Sequence, residues 1–247
     1  MNHYEIFRQL HYQPRPFILA NVWNAKSAQV AEAKGFEAIG TSSGAISDSL
    51  GYTDGEKMPF AELLYLVKRI RSVTNIPLSV DMERGYTNDL DELNANIQQL
   101  LDIGVAGINI EDAQGPDIYL KKLSSIKEYL SRTRQRLFIN ARTDVFVQKL
   151  EPPLDITIKR AELYKEAGAD GLFVAGIQDA GMIRDITSAT TLPVNVVAIP
   201  KLSSPDVLAK CGVKRISMAP FLYKATYNHM ERIAEKILVE HSFAYLY

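Results

Sequence analysis

The sequence alternates short apolar runs with helical patterns eight times along its 247 residues. Nearly every residue in the apolar runs is hydrophobic, so these strands are expected to be buried on both faces, as in a parallel sheet. The polar stretch at residues 42–59 is predicted to be a loop. The predicted strands lie at residues 17–22, 37–41, 78–81, 107–111, 137–141, 171–175, 194–198 and 213–218. The predicted helices lie at residues 24–34, 60–73, 90–103, 120–132, 155–167, 180–187, 205–210 and 222–240.

An eightfold repeat of strand and helix is typical of the (β/α)₈ or TIM barrel, an α/β fold. A chain of 247 residues is long enough for one such barrel, and no linker divides it. We therefore predict a single barrel domain over residues 1–247. A doubly wound open sheet is the alternative, but no glycine-rich phosphate-binding loop follows the first predicted strand.

Composition excludes several classes of partner. The net charge of −1 gives no electrostatic basis for binding nucleic acid or a membrane surface. A single cysteine excludes an internal disulfide framework and fits a reducing compartment. The sequence shows no signal peptide at its start and no apolar run long enough to span a bilayer. We expect a cytoplasmic protein without nucleic-acid or membrane partners.

Two carboxylates follow the third predicted strand, in the stretch Val80-Asp81-Met82-Glu83-Arg84. Side chains alternate along a strand, so Asp81 and Glu83 are expected to point the same way. Two like charges on one face repel each other unless a cation lies between them, and Mg²⁺ prefers such oxygen ligands. The alternative is a buried carboxylate paired with an arginine beside a solvated acid.

The carboxyl ends of the other strands add polar groups to the same rim, where TIM barrels carry their chemistry. Arg142 can bind a carboxylate or phosphonate with two parallel hydrogen bonds. Gly44 allows a close approach, so the neighbouring backbone can offer N–H donors to an anion. The candidate rim residues are Trp23, Asn24, Thr41, Ser42, Ser43, Gly44, Asp81, Glu83, Glu111, Asp112, Arg142, Asp144 and Asn195.

Motifs along most of the chain resemble, in order, those of the isocitrate lyase/phosphoenolpyruvate mutase superfamily, particularly its small phosphonomutase-like branch. The stretches that carry the resemblance are residues 20–25, 41–44, 49–55, 80–86, 107–112, 140–144, 167–170 and 193–196. The resemblance implies a (β/α)₈ barrel whose C-terminal helix is swapped between subunits of a homodimer or homotetramer. It also implies chemistry at C3 of a pyruvate unit through an enolate.

The same resemblance assigns roles to individual residues. It implies Mg²⁺ at Asp81, with Glu83 and Glu111 holding the water molecules of the metal. The Ser43-Gly44 turn and Arg142 would bind the substrate. Arg142 and Asp54 would be the catalytic residues, with Asp54 on a mobile loop.

Structural roles are the alternatives at several of these positions. Arg142 could instead be a partner for Glu111 or Asp144, or serve both purposes. Trp23 could cover the site or be a packed aromatic residue, and Asp54 could be an ordinary turn residue.

One departure from the superfamily limits the reaction. Its lyases carry a Cys-Gly-His segment after the fourth strand, and that cysteine is their general acid. Residues 112–117 contain neither Cys nor His. The only cysteine, Cys211, precedes the eighth predicted strand and is expected to be structural.

We therefore predict a Mg²⁺-dependent lyase or decarboxylase that acts on a small 2-oxo acid, similar to an oxaloacetate decarboxylase. Decarboxylation needs no strong general acid while the bond breaks, so the missing cysteine disfavours it least. The alternatives are P–C bond chemistry on an enolpyruvate or phosphonate, and a 2-oxo acid binding protein without turnover.

Overall fold

The computed structural model describes residues 2–247 and contains a closed barrel of eight parallel strands, each paired with the next in chain order. This is the (β/α)₈ architecture that the eightfold alternation predicts. The strands are β1 (Phe17–Val22), β2 (Ile39–Thr41), β3 (Leu78–Asp81), β4 (Gly107–Glu111), β5 (Phe138–Thr143), β6 (Gly171–Val174), β7 (Val194–Val197) and β8 (Arg215–Ser217).

Within residues 2–247, ten α-helices connect or flank the strands. A short 3-10 helix, Ala244–Leu246, ends the chain. The α-helices are α1 (His3–Leu10), α2 (Ala25–Ala33), α3 (Ser43–Ser49), α4 (Phe60–Arg71), α5 (Leu90–Ile103), α6 (Pro116–Thr133), α7 (Pro153–Glu166), α8 (Ala180–Ala189), α9 (Pro205–Lys210) and α10 (Phe221–Glu240).

Strand register places the candidate site residues side by side. Asp81 at the end of β3 lies opposite Asn109 of β4, and Glu111 at the end of β4 lies opposite Arg142 of β5. Residues far apart in the sequence therefore meet at one rim because the strands are parallel and end together.

Helix α1 covers the opposite end of the barrel. Its Phe7 and Leu10 pack with Phe17, Phe138 and other residues at the amino ends of the strands. The sequence patterns did not predict this helix. Because it covers the amino-terminal mouth, the carboxyl-terminal mouth is the open end of the barrel.

The prediction that residues 42–59 form a loop is wrong in its first part, because Ser43–Ser49 form α3. The Ser42 side chain accepts a hydrogen bond from the Ala45 N–H (3.3 Å) and caps the helix. Serine and glycine are weak helix formers, so the local sequence gives little signal. Complete burial of Ala45 and Ile46 in the core supplies the stabilisation.

The last long helix, α10, is unusually exposed. Tyr223 is its only buried residue, whereas Leu238 and Val239 near its end are 75% and 71% exposed. Its apolar side therefore has few partners within this chain. Among residues 2–247, no helix is both long and apolar enough to cross a membrane.

Candidate active site

A cavity of about 310 Å³ opens at the carboxyl end of the barrel. It contains one cation, Arg142, and two carboxylates, Asp54 and Asp81, among the lining residues that the structure describes. The predicted residues Ser42, Ser43 and Gly44 line it as well. Six of the predicted site residues therefore line one cavity.

Asp81 lies at the end of β3, beside the start of α3. Its Oδ2 accepts a hydrogen bond from the Ser43 hydroxyl (2.8 Å), and its backbone N–H donates to Thr41 Oγ1 (2.8 Å). The first contact holds the carboxylate at the start of α3, and the second ties the backbone of Asp81 to β2. Asp81 also lines the cavity.

Asp54 belongs to the loop between α3 and α4 and is exposed at the mouth of the cavity. Its carboxylate packs on Gly44, where an added Cβ would lie 3.1 Å from Asp54 Oδ2. Partial burial of the carboxyl group raises the pKa of Asp54, and the nearby charge of Asp81 raises it further. Glycine at position 44 is thus what allows this loop to approach α3 closely.

Two further acids lie beside Asp81. Glu83 is only 3% exposed and has a positive φ of 46°, a conformation uncommon for a non-glycine residue. Tyr86 donates a hydrogen bond to Glu83 Oε1 (3.3 Å). Burial raises the pKa of Glu83 to about 7, with the charges of Asp81 and Asp54 adding to the effect.

Glu111 shares this electrostatic environment. Burial raises the pKa of Glu111 to about 8, although the Arg142 guanidinium opposes that increase. The charge of Asp81 also raises the pKa of Glu111. Because burial and neighbouring carboxylates raise the pKa values of Glu83 and Glu111, an added cation would be stabilised beside these acids.

Arg142 is held from two sides. Its Nε and Nη2 donate to the two carboxylate oxygens of Asp144 (2.7 and 3.2 Å), and Nη1 contacts Glu111 Oε2 (2.7 Å). The guanidinium carbon lies 5.8 Å from the centre of the Phe173 ring. Arg142 therefore has the structural role that was the alternative for it, and it also lines the cavity.

A buried network behind the rim holds Asp144 in place, and the sequence analysis did not identify it. Asp112 Oδ1 accepts the Asp144 N–H (2.8 Å), and Asp112 Oδ2 accepts bonds from Arg160 Nη1 (2.6 Å) and the Tyr164 hydroxyl. Arg160 and Tyr164 lie on α7, about 50 residues from their partner. Arg160 and Tyr164 are both on the buried face of α7, but no local pattern identifies their distant partner.

Two residues predicted to bind substrate lie outside the cavity. Trp23 packs edge-on against Tyr223, with ring centres 5.2 Å apart, and lines a separate groove between α2 and α10. Asn195 is fully buried inside the barrel and donates to Ser217 Oγ (3.5 Å). The structure does not bring either side chain to Asp81.

The sequence analysis also missed residues that do line the cavity. Asn21 accepts the backbone N–H groups of Met218 (2.7 Å) and Ala219 (3.1 Å), which joins β1 to the segment after β8. Asn109 lines the cavity next to Asp81. Both belong to stretches that carried the superfamily resemblance, which was the available signal.

The donor set determines how this rim could hold a metal ion. No three His, Cys, Asp or Glu side chains within residues 2–247 form a group that could bind one ion directly. Asp81 with Glu83 and Glu111 nearby instead suits a hydrated ion, with one direct carboxylate ligand and retained water molecules. Mg²⁺ favours this arrangement because it dehydrates reluctantly.

Cys211 takes no part in this rim. It ends α9 just before β8, is 2% exposed, and does not line the cavity. Because Cys211 is the only cysteine in the sequence and does not line the cavity, this site lacks a cysteine general acid.

The fold is a TIM barrel, and the acidic rim lies at the carboxyl ends of its strands, where TIM-barrel enzymes carry their active sites. Residues 7–238 match the family model described as phosphoenolpyruvate phosphomutase. The chain belongs to this family, and so to the phosphoenolpyruvate mutase/isocitrate lyase superfamily, as the motifs indicated.

Known relatives are enzymes of several activities. The oxaloacetate decarboxylase of Pseudomonas fluorescens is 30% identical over 243 residues, covering 91% of this chain and 82% of that protein. A solved structure of a phosphonomutase-like protein from Burkholderia cenocepacia is 35% identical, with a TM-score of 0.90, and covers 94% of this chain and 99% of that one. A phosphonopyruvate hydrolase solved with oxalate and Mg²⁺ shares the fold at 20% identity and a TM-score of 0.87, covering 99% of this chain and 89% of that one.

Proposed function

We propose that this protein is a Mg²⁺-dependent enzyme that cleaves a C–C bond of a small 2-oxo acid, with oxaloacetate decarboxylation as the model reaction. The observation that carries the proposal is the convergence of Asp81, Ser43 and Arg142 on one cavity, with Glu83 and Glu111 beside it. The similarity to an oxaloacetate decarboxylase over most of both chains supports the choice of reaction.

The carboxylates are assigned to the metal. Asp81 would be the direct ligand, and Glu83 and Glu111 would accept hydrogen bonds from its water molecules. When bound, Mg²⁺ supplies Lewis-acid stabilisation of the negative charge that develops on the 2-oxo oxygen. The solved phosphonopyruvate hydrolase with oxalate and Mg²⁺ supports this choice of metal.

The remaining residues bind and orient the substrate. Arg142 is pre-oriented by Asp144 and Glu111, so its guanidinium can bind an anionic group without first becoming ordered. Ser42, Ser43 and Gly44 would offer donors to the substrate carboxylate. Asp54, on the loop at the cavity mouth, would close over the site. It would also transfer the proton that C3 receives after the bond breaks.

Decarboxylation fits the groups that are present. The electron pair of the C3–C4 bond moves into the pyruvate unit as CO₂ leaves, so no acid has to protonate the leaving group. A lyase that releases a larger fragment by the cysteine-dependent route would need a thiol that this cavity does not have.

A phosphonomutase-type reaction at a P–C bond is the second candidate, supported by the family description and by the Burkholderia structure. A 2-oxo acid binding protein without turnover is the third. A coupled assay of pyruvate release from oxaloacetate, with Mg²⁺ and with EDTA, separates these candidates. Enzyme-dependent release above the metal-catalysed background supports the decarboxylase, and its absence with intact oxalate binding supports the binding protein. Consumption of phosphonopyruvate alone would favour the second candidate.

Assembly is proposed to be a homodimer or homotetramer in which α10 packs on a neighbouring subunit. The exposed side chains of Leu238, Val239 and Phe243 support this, because large apolar residues so exposed are typical of an interface. Sedimentation velocity tests the proposal, with a monomer as the contradicting result. A cytoplasmic location is proposed on the basis of the single, unpaired cysteine.

A further inference from the structure

The side-chain amide of Asn109 is engaged at its oxygen and free at its nitrogen. Asn109 lines the cavity from β4 and is the register partner of Asp81 on β3. Its Oδ1 accepts hydrogen bonds from Asn140 Nδ2 (2.9 Å) and Arg215 Nη2 (3.3 Å) inside the barrel. Its Nδ2 donates to no residue within 2–247 and, unlike the unpartnered atoms of the barrel interior, is not fully buried. Because an amide carries its oxygen and nitrogen on opposite sides, Nδ2 points away from these donors and towards the cavity.

Arg215 determines which way this amide faces. A guanidinium can only donate hydrogen bonds, so the Asn109 atom that faces it must be the oxygen. Asn140 alone does not fix the direction, because its own Oδ1 is buried without a partner and could accept from Asn109 Nδ2 if both amides turned over. Arg215 is 1% exposed, and its only side-chain hydrogen bond within residues 2–247 is the one to Asn109. Its Nε and Nη1 are buried without a partner, which is unfavourable for stability and indicates another role.

Three other uncharged polar side chains of the cavity already donate to a neighbour. These hydrogen bonds run from Asn21 Nδ2 to the Thr41 carbonyl (2.9 Å), from the Ser43 hydroxyl to Asp81 (2.8 Å), and from the Ser217 hydroxyl to the Val196 carbonyl (3.3 Å). Asn21 Oδ1 is also occupied, since it accepts two backbone N–H groups of the segment after β8. Of the two asparagine amides that line the cavity within residues 2–247, Asn109 is thus the one whose nitrogen has no acceptor.

We infer that the Asn109 amide donates a hydrogen bond to the 2-oxo oxygen of the substrate, and that Arg215 is the positioning residue that keeps the amide in this orientation. This rests on the proposed function, which places the 2-oxo acid at Asp81 and Arg142. Because Asn109 is the register partner of Asp81, its amide lies beside the carboxylate that is assigned to the metal. Negative charge develops on the 2-oxo oxygen as the C3–C4 bond breaks, and a donor that is already fixed in place stabilises such charge.

Two ligands test the inference by binding, without turnover. Oxalate carries negative charge where the enolate oxygen would lie, whereas the 2-oxo oxygen of pyruvate is uncharged. Each is titrated calorimetrically, with saturating Mg²⁺, into the wild type and into Asn109→Leu, in which leucine keeps the branched shape of asparagine but has no donor. A hydrogen bond to a charged oxygen contributes about 10- to 100-fold in affinity, and one to a neutral oxygen about 2- to 10-fold. We therefore expect Asn109→Leu to lose more affinity for oxalate than for pyruvate.

Ser217→Ala is the matched control. The Ser217 hydroxyl lines the same cavity, but it donates to the Val196 carbonyl inside the barrel. Its removal should change the affinity for oxalate by less than about twofold, because no donor to the ligand is lost.

A double-mutant cycle tests the positioning role of Arg215. Arg215→Met lets the amide turn over, so oxalate affinity should fall by at least about twofold, towards the loss seen in Asn109→Leu. In the Asn109→Leu background no amide remains to turn over, and the same substitution should change oxalate affinity by less than about twofold. Arg215→Lys keeps a group that can only donate and should retain more affinity than Arg215→Met. The melting temperature of Arg215→Met should not fall, because an apolar side chain replaces a buried cation with few partners.

The outcomes separate the inference from the proposed function. Equal oxalate affinity of the wild type and Asn109→Leu would overturn the inference and leave the proposed function standing. Equal losses for oxalate and pyruvate would overturn the assignment to the 2-oxo oxygen, and equal effects of Arg215→Met in both backgrounds would overturn its positioning role. Failure of the wild type to bind oxalate would overturn the inference and the proposed function together. If Asn109→Leu does not fold, the double variant takes its place, since it removes both hydrogen-bonding partners and should show the same loss.

Discussion

The buried Asp112–Arg160 pair behind the rim should be one of the most sensitive points of the fold. The Asp112 carboxylate is fully buried, and the Arg160 side chain is 10% exposed. Asp112→Ala would leave a buried guanidinium without its counter-charge, together with the Tyr164 hydroxyl and the Asp144 N–H without an acceptor. Breaking a buried pair in this way costs about 3–5 kcal/mol. That is a large part of the roughly 5–15 kcal/mol that stabilises a typical domain.

Urea denaturation followed by circular dichroism measures this change in the free energy of unfolding. Asp112→Asn retains an oxygen acceptor and should cost less, about 1.5–3 kcal/mol. The matched control is Glu5→Gln, because Glu5 pairs with Arg136, whose side chain is 66% exposed, and exposed pairs contribute at most about 1 kcal/mol. If Asp112→Ala costs no more than the Glu5 control, the network does not support the rim as described.

Three further predictions concern the site. Arg142→Lys should weaken oxalate binding, measured by calorimetry, by about 1–3 kcal/mol, because a bidentate guanidinium is replaced by an ammonium group. Unchanged affinity would mean that Arg142 is purely structural. Cys211→Ala should lower stability only modestly and leave turnover intact, and iodoacetamide should not inactivate the folded enzyme; rapid inactivation prevented by Mg²⁺ with oxalate would contradict this. The folded-state pKa values of Glu83 and Glu111, about 7 and about 8, lie above the ordinary value of 4.5. The metal-free folded protein therefore binds more protons than the unfolded chain between pH about 4.5 and about 8, and its melting temperature in EDTA should fall as pH rises through that window. Mg²⁺ should offset this loss, and a melting temperature that rises with pH in EDTA would refute the assignment.

Much of the fold could be predicted because its signal is local and repeated. Eight apolar runs separated by helical patterns fix the order of the strands, and parallel strands in a barrel end at one rim. Asp81 and Arg142 could therefore be placed together although 61 positions separate them in the sequence. Helix α3 could not be predicted, because Ser43 and Gly44 are weak helix formers and only tertiary burial makes the segment helical.

The errors in the site come from side-chain direction and distant partners. Trp23 follows β1 directly, but its ring turns away from the cavity towards α10. Asn195 and Val197 are two positions apart on β7, yet only Val197 is far enough along the strand to line the cavity. The Asp112–Arg160 pair joins residues 48 positions apart, and no local pattern announces such a partner.

Calorimetric titration of Mg²⁺ in the presence of oxalate is the most direct test of the account, comparing the wild-type protein with Asp81→Asn. The substitution keeps the size of the side chain and an oxygen that can accept the Ser43 hydrogen bond, but removes the charge that is assigned to the metal. We predict Mg²⁺-dependent oxalate binding by the wild type and a loss of at least about 100-fold in Mg²⁺ affinity in the folded variant. Undiminished Mg²⁺ affinity in folded Asp81→Asn would contradict the metal site and the proposed function built on it.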